Sequence, residues 1–106
     1  MIPNHPQFIE AINEKKKVRV RYYSIADSGV VDRVCAPMDY GPGAGHQDGF
    51  NRYWLWVYTD NAGSHIVGML TQEILDLKVL GEVFDPAQFK DRPAQWFTPR
   101  DWGSQS

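Results

Sequence analysis

The sequence predicts a mainly β domain, with one N-terminal helix followed by five short strands bent into a small closed barrel. Three observations carry that expectation. Apolar residues recur at helical spacing only up to about Lys16, and from Val18 the period switches to two. Clusters of Gly, Asp, Asn and Pro then punctuate the chain at hairpin distances. The stretch Arg52–Thr59 places Tyr53, Leu55 and Val57 on one alternating face and Trp54, Trp56 and Tyr58 on the other. A strand with bulk on both faces is normally covered on both, so Arg52–Thr59 is read as a central strand.

The helix comes first. Asn4 or His5 suits the N-cap and Pro6 the first turn. Phe8, Ile9, Ala11 and Ile12 share a face. Glu10 and Glu14 precede Lys15, Lys16 and Lys17, an order that complements the helix dipole, so the helix is expected over Pro6–Lys16. A helix this short needs a sheet to lie on.

The first strand starts at Val18, with Val18, Val20 and Tyr22 on one side and Arg19, Arg21 and Tyr23 on the other. A turn at Ala26-Asp27-Ser28-Gly29 leads to a second strand from Val30 to about Met38, where Pro37 marks an end or an edge. Tyr40 to Asn51 is a glycine-rich loop, long for a hairpin, and such loops are often functional or mobile. Its glycines at 41, 43, 45 and 49 fit neither the P-loop nor the dinucleotide pattern. After the central strand, Asp60-Asn61-Ala62-Gly63 turns the chain into a fourth strand, Ser64–Met69. A connector with helical character, Leu70–Ile74, precedes a fifth strand, Leu75–Phe84, and Asp85-Pro86 starts a turn or short helix. Five strands with hairpin-type links suit a small barrel.

The barrel with its helix is expected to fill residues 1–89. Residues 90–106 form a tail with prolines and the aromatics Trp96, Phe97 and Trp102. Polar disordered tails lack aromatics, so Trp96 and Phe97 are expected to dock on the barrel.

With 106 residues the chain is one domain that buries roughly two-thirds of its unfolded surface, enough to fold without staples. Its formal net charge of -2 argues against a general duplex-DNA binder, although not against a local basic patch. The single cysteine, Cys35, lies in an apolar run and reads as a small buried hydrophobe. No secretory signal and no membrane-spanning run is visible, so a reducing, cytoplasmic setting is expected.

The residues resemble the WYL domain, a family found mostly in bacterial transcription regulators behind a helix-turn-helix domain and in proteins linked to phage defence. The resemblance rests on Ala11-Ile12 in the helix and Val18-Arg19-Val20-Arg21-Tyr22 in the first strand. It continues through the arginine-x-x-x-proline element Arg33–Pro37, then Tyr53-Trp54-Leu55, and closes with Leu77-Lys78-Val79-Leu80 through Phe84. In the naming tripeptide the two aromatics are exchanged. The likeness spans roughly Phe8 to Phe89. It implies an Sm-like five-stranded barrel and a non-catalytic role in sensing a ligand or nucleic acid. Two departures stand out. Glu73 occupies a position where the family usually carries an arginine, and no helix-turn-helix precedes the barrel, so a stand-alone module is expected.

Arg19 and Arg21 share a strand face, and on a common barrel surface they would lie near Trp54, Trp56 and Tyr58. Cations that track phosphates beside rings that stack bases are how single strands are held. The plainer alternative has the tryptophans covered and the arginines solvated. Arg33 matches a family position associated with ligand contact, or makes an ion pair with Asp32 or Asp39. Arg52 at the strand entry completes the set, which is Arg19, Arg21, Arg33, Arg52, Trp54 and Trp56. His5, His46 and His65 are scattered without metal-ligand spacing, and Ser24, Ser28 and Ser64 lack a nucleophile elbow. No catalytic residue, metal or cofactor is expected. The expected partner is a nucleotide or single-stranded nucleic acid, with a second copy of the chain or a separate helix-turn-helix protein as further partners. The competing reading is a protein-interaction or oligomerisation module.

Overall fold

A computed structural model describes residues 1–24, 27–42, 49–58, 65–88, 97–100 and 102. The elements in order are α1 (His5–Glu14), β1 (Lys16–Ser24), β2 (Gly29–Gly41), β3 (Arg52–Val57), β4 (His65–Met69), a 3-10 turn (Thr71–Glu73), β5 (Ile74–Val83) and a second 3-10 turn (Pro86–Gln88). The expected turn at 60–63, the centre of the glycine loop at 43–48, and Trp96 lie outside the described residues. Among the described residues no helix is long and apolar enough to cross a membrane.

The five strands form one antiparallel sheet in the order β4-β3-β2-β1-β5. The mainly β class with an N-terminal helix is as expected. The closure is not, because β4 and β5 stand at opposite ends of the order and make no ladder with each other among the described residues. The aromatic strand β3 is interior, flanked by β2 and β4, but the middle of the sheet is β2. Proline did not end that strand. Pro37 still pairs with Leu55, and the register slips at Met38 before Asp39 pairs with Trp54. A bulge is where an interior strand tolerates a residue with no N–H.

Pairing sorts side chains onto two faces. Val18, Val20, Cys35, Leu55 and Val57 point inward and are almost wholly buried. α1 lies on this inner face through Phe8, Ala11 and Ile12, and the Phe8 ring meets the Tyr53 ring edge-on at 4.9 Å. Burial of a side chain the size of Phe8 or Ile12 contributes about 1.5–3 kcal/mol, which supplies what a ten-residue helix lacks alone.

The helix stops two residues earlier than its lysines suggest. Lys15 adopts a left-handed conformation (φ 58°) and its N–H caps the last turn at Ala11 and Ile12, so Lys16 and Lys17 open β1 instead. The Lys15 carbonyl accepts the N–H of Phe84 at 2.8 Å, which ties the end of β5 to the end of the helix. Asn4 sits at the N-cap position, yet its side chain donates to the Leu77 carbonyl and not to its own helix.

Candidate functional site

The outer face of the sheet carries the polar and aromatic side chains of three adjacent strands. From β1 come Lys17, Arg19 and Arg21, and β2 supplies Asp32, Val34 and Ala36. Trp54 and Trp56 of β3 face the same way, and Tyr58, whose N–H donates to the Val34 carbonyl, continues that column. The structure therefore places Arg19 and Arg21 on one surface with Trp54, Trp56 and Tyr58, separated only by β2. Two strand spacings, about 10 Å, divide the cation column from the aromatic column.

The other two arginines do not join them. Arg33 pairs with Val20 in the ladder and so lies on the inner face, the opposite side of the sheet. Its guanidinium reaches Asp27 at 3.5 Å and the Asp32 carbonyl at 3.1 Å. The expected ion pair with the Asp32 or Asp39 carboxylate is replaced by these contacts, because Asp32 faces outward to Arg21 (3.3 Å) and Asp39 is held elsewhere. Arg52 shares the outer face opposite Gly41, but it is buried and not free. The single cationic rim of four arginines is thus split by strand parity and by burial.

The tryptophans are covered platforms. Trp56 is buried. Trp54 is half-buried, donates from Nε1 to the Gly41 carbonyl at 2.9 Å, and lays its ring on Gly68 of β4. Tyr58 is half-buried as well, with the Lys17 ammonium 4.7 Å from its centroid. Lys17 also pairs with Glu82. Such a cation over a ring contributes about 0.5–1 kcal/mol at an exposed site.

One polar node on this side escaped sequence reasoning. Asp39 is almost fully buried and accepts N–H donors from Tyr40 (2.9 Å), Phe97 (2.9 Å) and Thr98 (2.8 Å). Its fourth partner is Arg100, whose Nη2 lies 3.2 Å from Oδ1, with side-chain exposures of 1% for Arg100 and 5% for Asp39. Arg100 also donates to the Met38 and Thr98 carbonyls and stacks 4.6 Å from the Trp102 ring. Burial pulls the Arg100 pKa down to about 10, with Asp39 acting in the opposite direction. This node binds residues 97–100 across the end of β2, where Phe97 rests on Gly41. Trp102 continues to the other side, packing edge-on against Phe84 at 5.6 Å and donating to the Ile12 carbonyl at 2.7 Å. The available signal was an acid between Met38 and Tyr40 in an otherwise apolar run.

Two remaining candidates have structural partners. Glu73 turns back to accept the Leu70 N–H at 2.8 Å, so it caps its own 3-10 turn. Cys35 is buried, and desolvation pushes its thiol up to about 12, which keeps it un-ionised at neutral pH. Near the chain start, the Tyr53 hydroxyl accepts the Ile2 N–H at 3.0 Å and contacts Nδ1 of His5 at 2.8 Å. Burial and the nearby α-amino group lower the His5 pKa. Among the described residues no three His, Cys, Asp or Glu side chains converge as a metal-binding group.

Fold and face together define a class, namely a helix-backed, five-stranded antiparallel sheet that presents cations beside aromatics on its outer surface. Among solved structures the chain is similar to proteasome accessory factor B/C (PafBC) of Arthrobacter aurescens, with a TM-score of 0.59 and 22% identity over 93% of this chain. The match covers 15% of the length of that chain. A likeness at this identity shows the fold. No protein-family model matches the sequence, and no curated protein matches it significantly.

Proposed function

We propose that this chain is a WYL-like ligand-sensing module of bacterial regulation or defence, binding a nucleotide or single-stranded nucleic acid on the outer face of β1, β2 and β3. The observation that carries the reading is the shared face of Arg19 and Arg21 with the half-buried rings of Tyr58 and Trp54. Cations beside rings are the chemistry that holds phosphates and bases together. The fold likeness to PafBC, a regulator that carries a WYL domain, supports the family half of the reading. The role is binding and not catalysis. The test is a titration with short single-stranded oligonucleotides and with mononucleotides across a range of salt concentrations. Saturable binding that weakens with salt is expected, and its absence at low salt would remove the proposal.

A second reading is favoured by a different observation. Among the described residues the sheet ends on β4 and β5, and β5 is ten residues long with Leu75 and Val83 exposed. An unpaired edge is a template for strand addition by another chain. Light scattering after size exclusion separates the two, since a strict monomer across concentration speaks against assembly through these edges.

A further inference from the structure

We infer that Arg19 and Lys78 together form a binding point for a single phosphate group of a small phosphorylated ligand. The inference rests on the proposed binding face and narrows what that face takes. Arg19 on β1 lies directly opposite Lys78 on β5, and both side chains are exposed. Directly opposed side chains in an antiparallel pair have Cβ atoms about 4.5–5.5 Å apart, and like charges there repel. The neighbouring cations have carboxylates: Lys16 with Glu14, Lys17 with Glu82, Arg21 with Asp32, Arg33 with Asp27, and Arg100 with Asp39. Arg19 and Lys78 have none among the described residues. Two exposed cations facing each other with no carboxylate partner among the described residues are arranged to share an oxyanion, which turns their repulsion into attraction for the ligand.

The surroundings set the size of that anion. One row further along β1, Arg21 lies between Asp32 and Asp76. In the other direction Glu82 neutralises Lys17. Among the described residues of this part of the outer face, unpaired positive charge lies in the Arg19–Lys78 row, bracketed by carboxylates on both sides. A compact phosphate fits that field. A strand running along β1 would place further phosphates beside Asp32, Asp76 or Glu82. Lysine on an edge strand also guards against strand addition. That accounts for Lys78 by itself, but Arg19 is on an interior strand that needs no guard.

The experiment is an amide-resolved NMR titration of the full chain with adenosine monophosphate, adenosine and a short oligothymidylate. Adenosine monophosphate is expected to shift the amides around Arg19 and Lys78, and adenosine is not. Arg19→Gln and Lys78→Gln should each weaken the monophosphate about tenfold or more. The log–log salt dependence of oligothymidylate binding should have a slope of about −0.7, that of a single phosphate contact. Lys78→Glu turns the repelling pair into an attracting one. It should raise the melting temperature of the free protein by about 1–6 °C and abolish the shifts. An oligonucleotide slope several times steeper, with shifts running along β1, would overturn the single-phosphate site and leave the proposed function standing. So would nucleotide binding unchanged by Arg19→Gln and Lys78→Gln. Absence of binding by every probe would remove both.

Discussion

Asp39→Ala removes the carboxylate that, among the described residues, holds residues 97–100 to the sheet. Its Oδ1 serves Tyr40, Thr98 and Arg100, and its Oδ2 serves Phe97. Breaking a buried ion pair from one side costs about 3–5 kcal/mol, because the other charge stays buried without compensation. Each stranded N–H would add about 1–3 kcal/mol if nothing moved. Undocking of 97–102 relieves those donors but forfeits the burial of Trp102, so the net loss should stay near the ion-pair figure. A domain of this kind has roughly 5–15 kcal/mol in total, so the variant should remain folded with a clearly lowered urea midpoint. Tryptophan emission is the natural probe, since Trp102 reports docking and Trp54 reports the sheet. Arg100→Ala closes a double-mutant cycle, in which the double variant should lose clearly less than the sum of the singles. A loss below about 1 kcal/mol, the range of an exposed pair, or strict additivity would refute the reasoning.

Two further outcomes follow from named contacts. Gly68→Ala puts a Cβ within 2.7 Å of the Trp54 ring, which its bond to Gly41 holds in place, so a loss of about 1–3 kcal/mol is expected in urea unfolding; Trp54→Leu in the same chain should recover part of it. The lowered His5 pKa means that the unfolded chain takes this proton more readily than the folded one. Its contribution is therefore complete above about pH 6.5 and is lost as pH falls from there through the lower folded-state pKa. The difference in stability between wild type and His5→Gln, measured from pH 7.5 to 5, should shrink towards the acid end, and a pH-independent difference would contradict the assignment.

Much of the fold was legible because period and parity are local properties. The alternation in Arg52–Thr59 sorted Tyr53, Leu55 and Val57 from Trp54 and Trp56, and the structure keeps that sorting. Parity likewise put Arg33 with Cys35 and Val31, the inner set, which already separated it from an outward Arg19 once strands one and two paired. Three features were not legible. Pro37 pointed to a strand end because a missing N–H says nothing of a bulge one residue later. Lys78 was quoted only as part of a strand, since its significance lies in facing Arg19 across a ladder whose register the sequence does not print. The Asp39–Arg100 pair spans sixty-one positions, and no periodicity relates residues so distant. The expected closure is not seen for a related reason, as the chain order of β4 and β5 does not fix them as partners, and β5 pairs with β1 instead.

The bond from the Trp102 indole to the Ile12 carbonyl crosses ninety positions, and β1 waits for β5 in the same way. α1 is therefore synthesised well before β5 and Trp102, two of the elements it packs against. Contacts of such separation fold slowly, and the cover of the helix is complete only once both β5 and Trp102 have been made. Docking of Trp102 on α1 thus follows synthesis of all five strands.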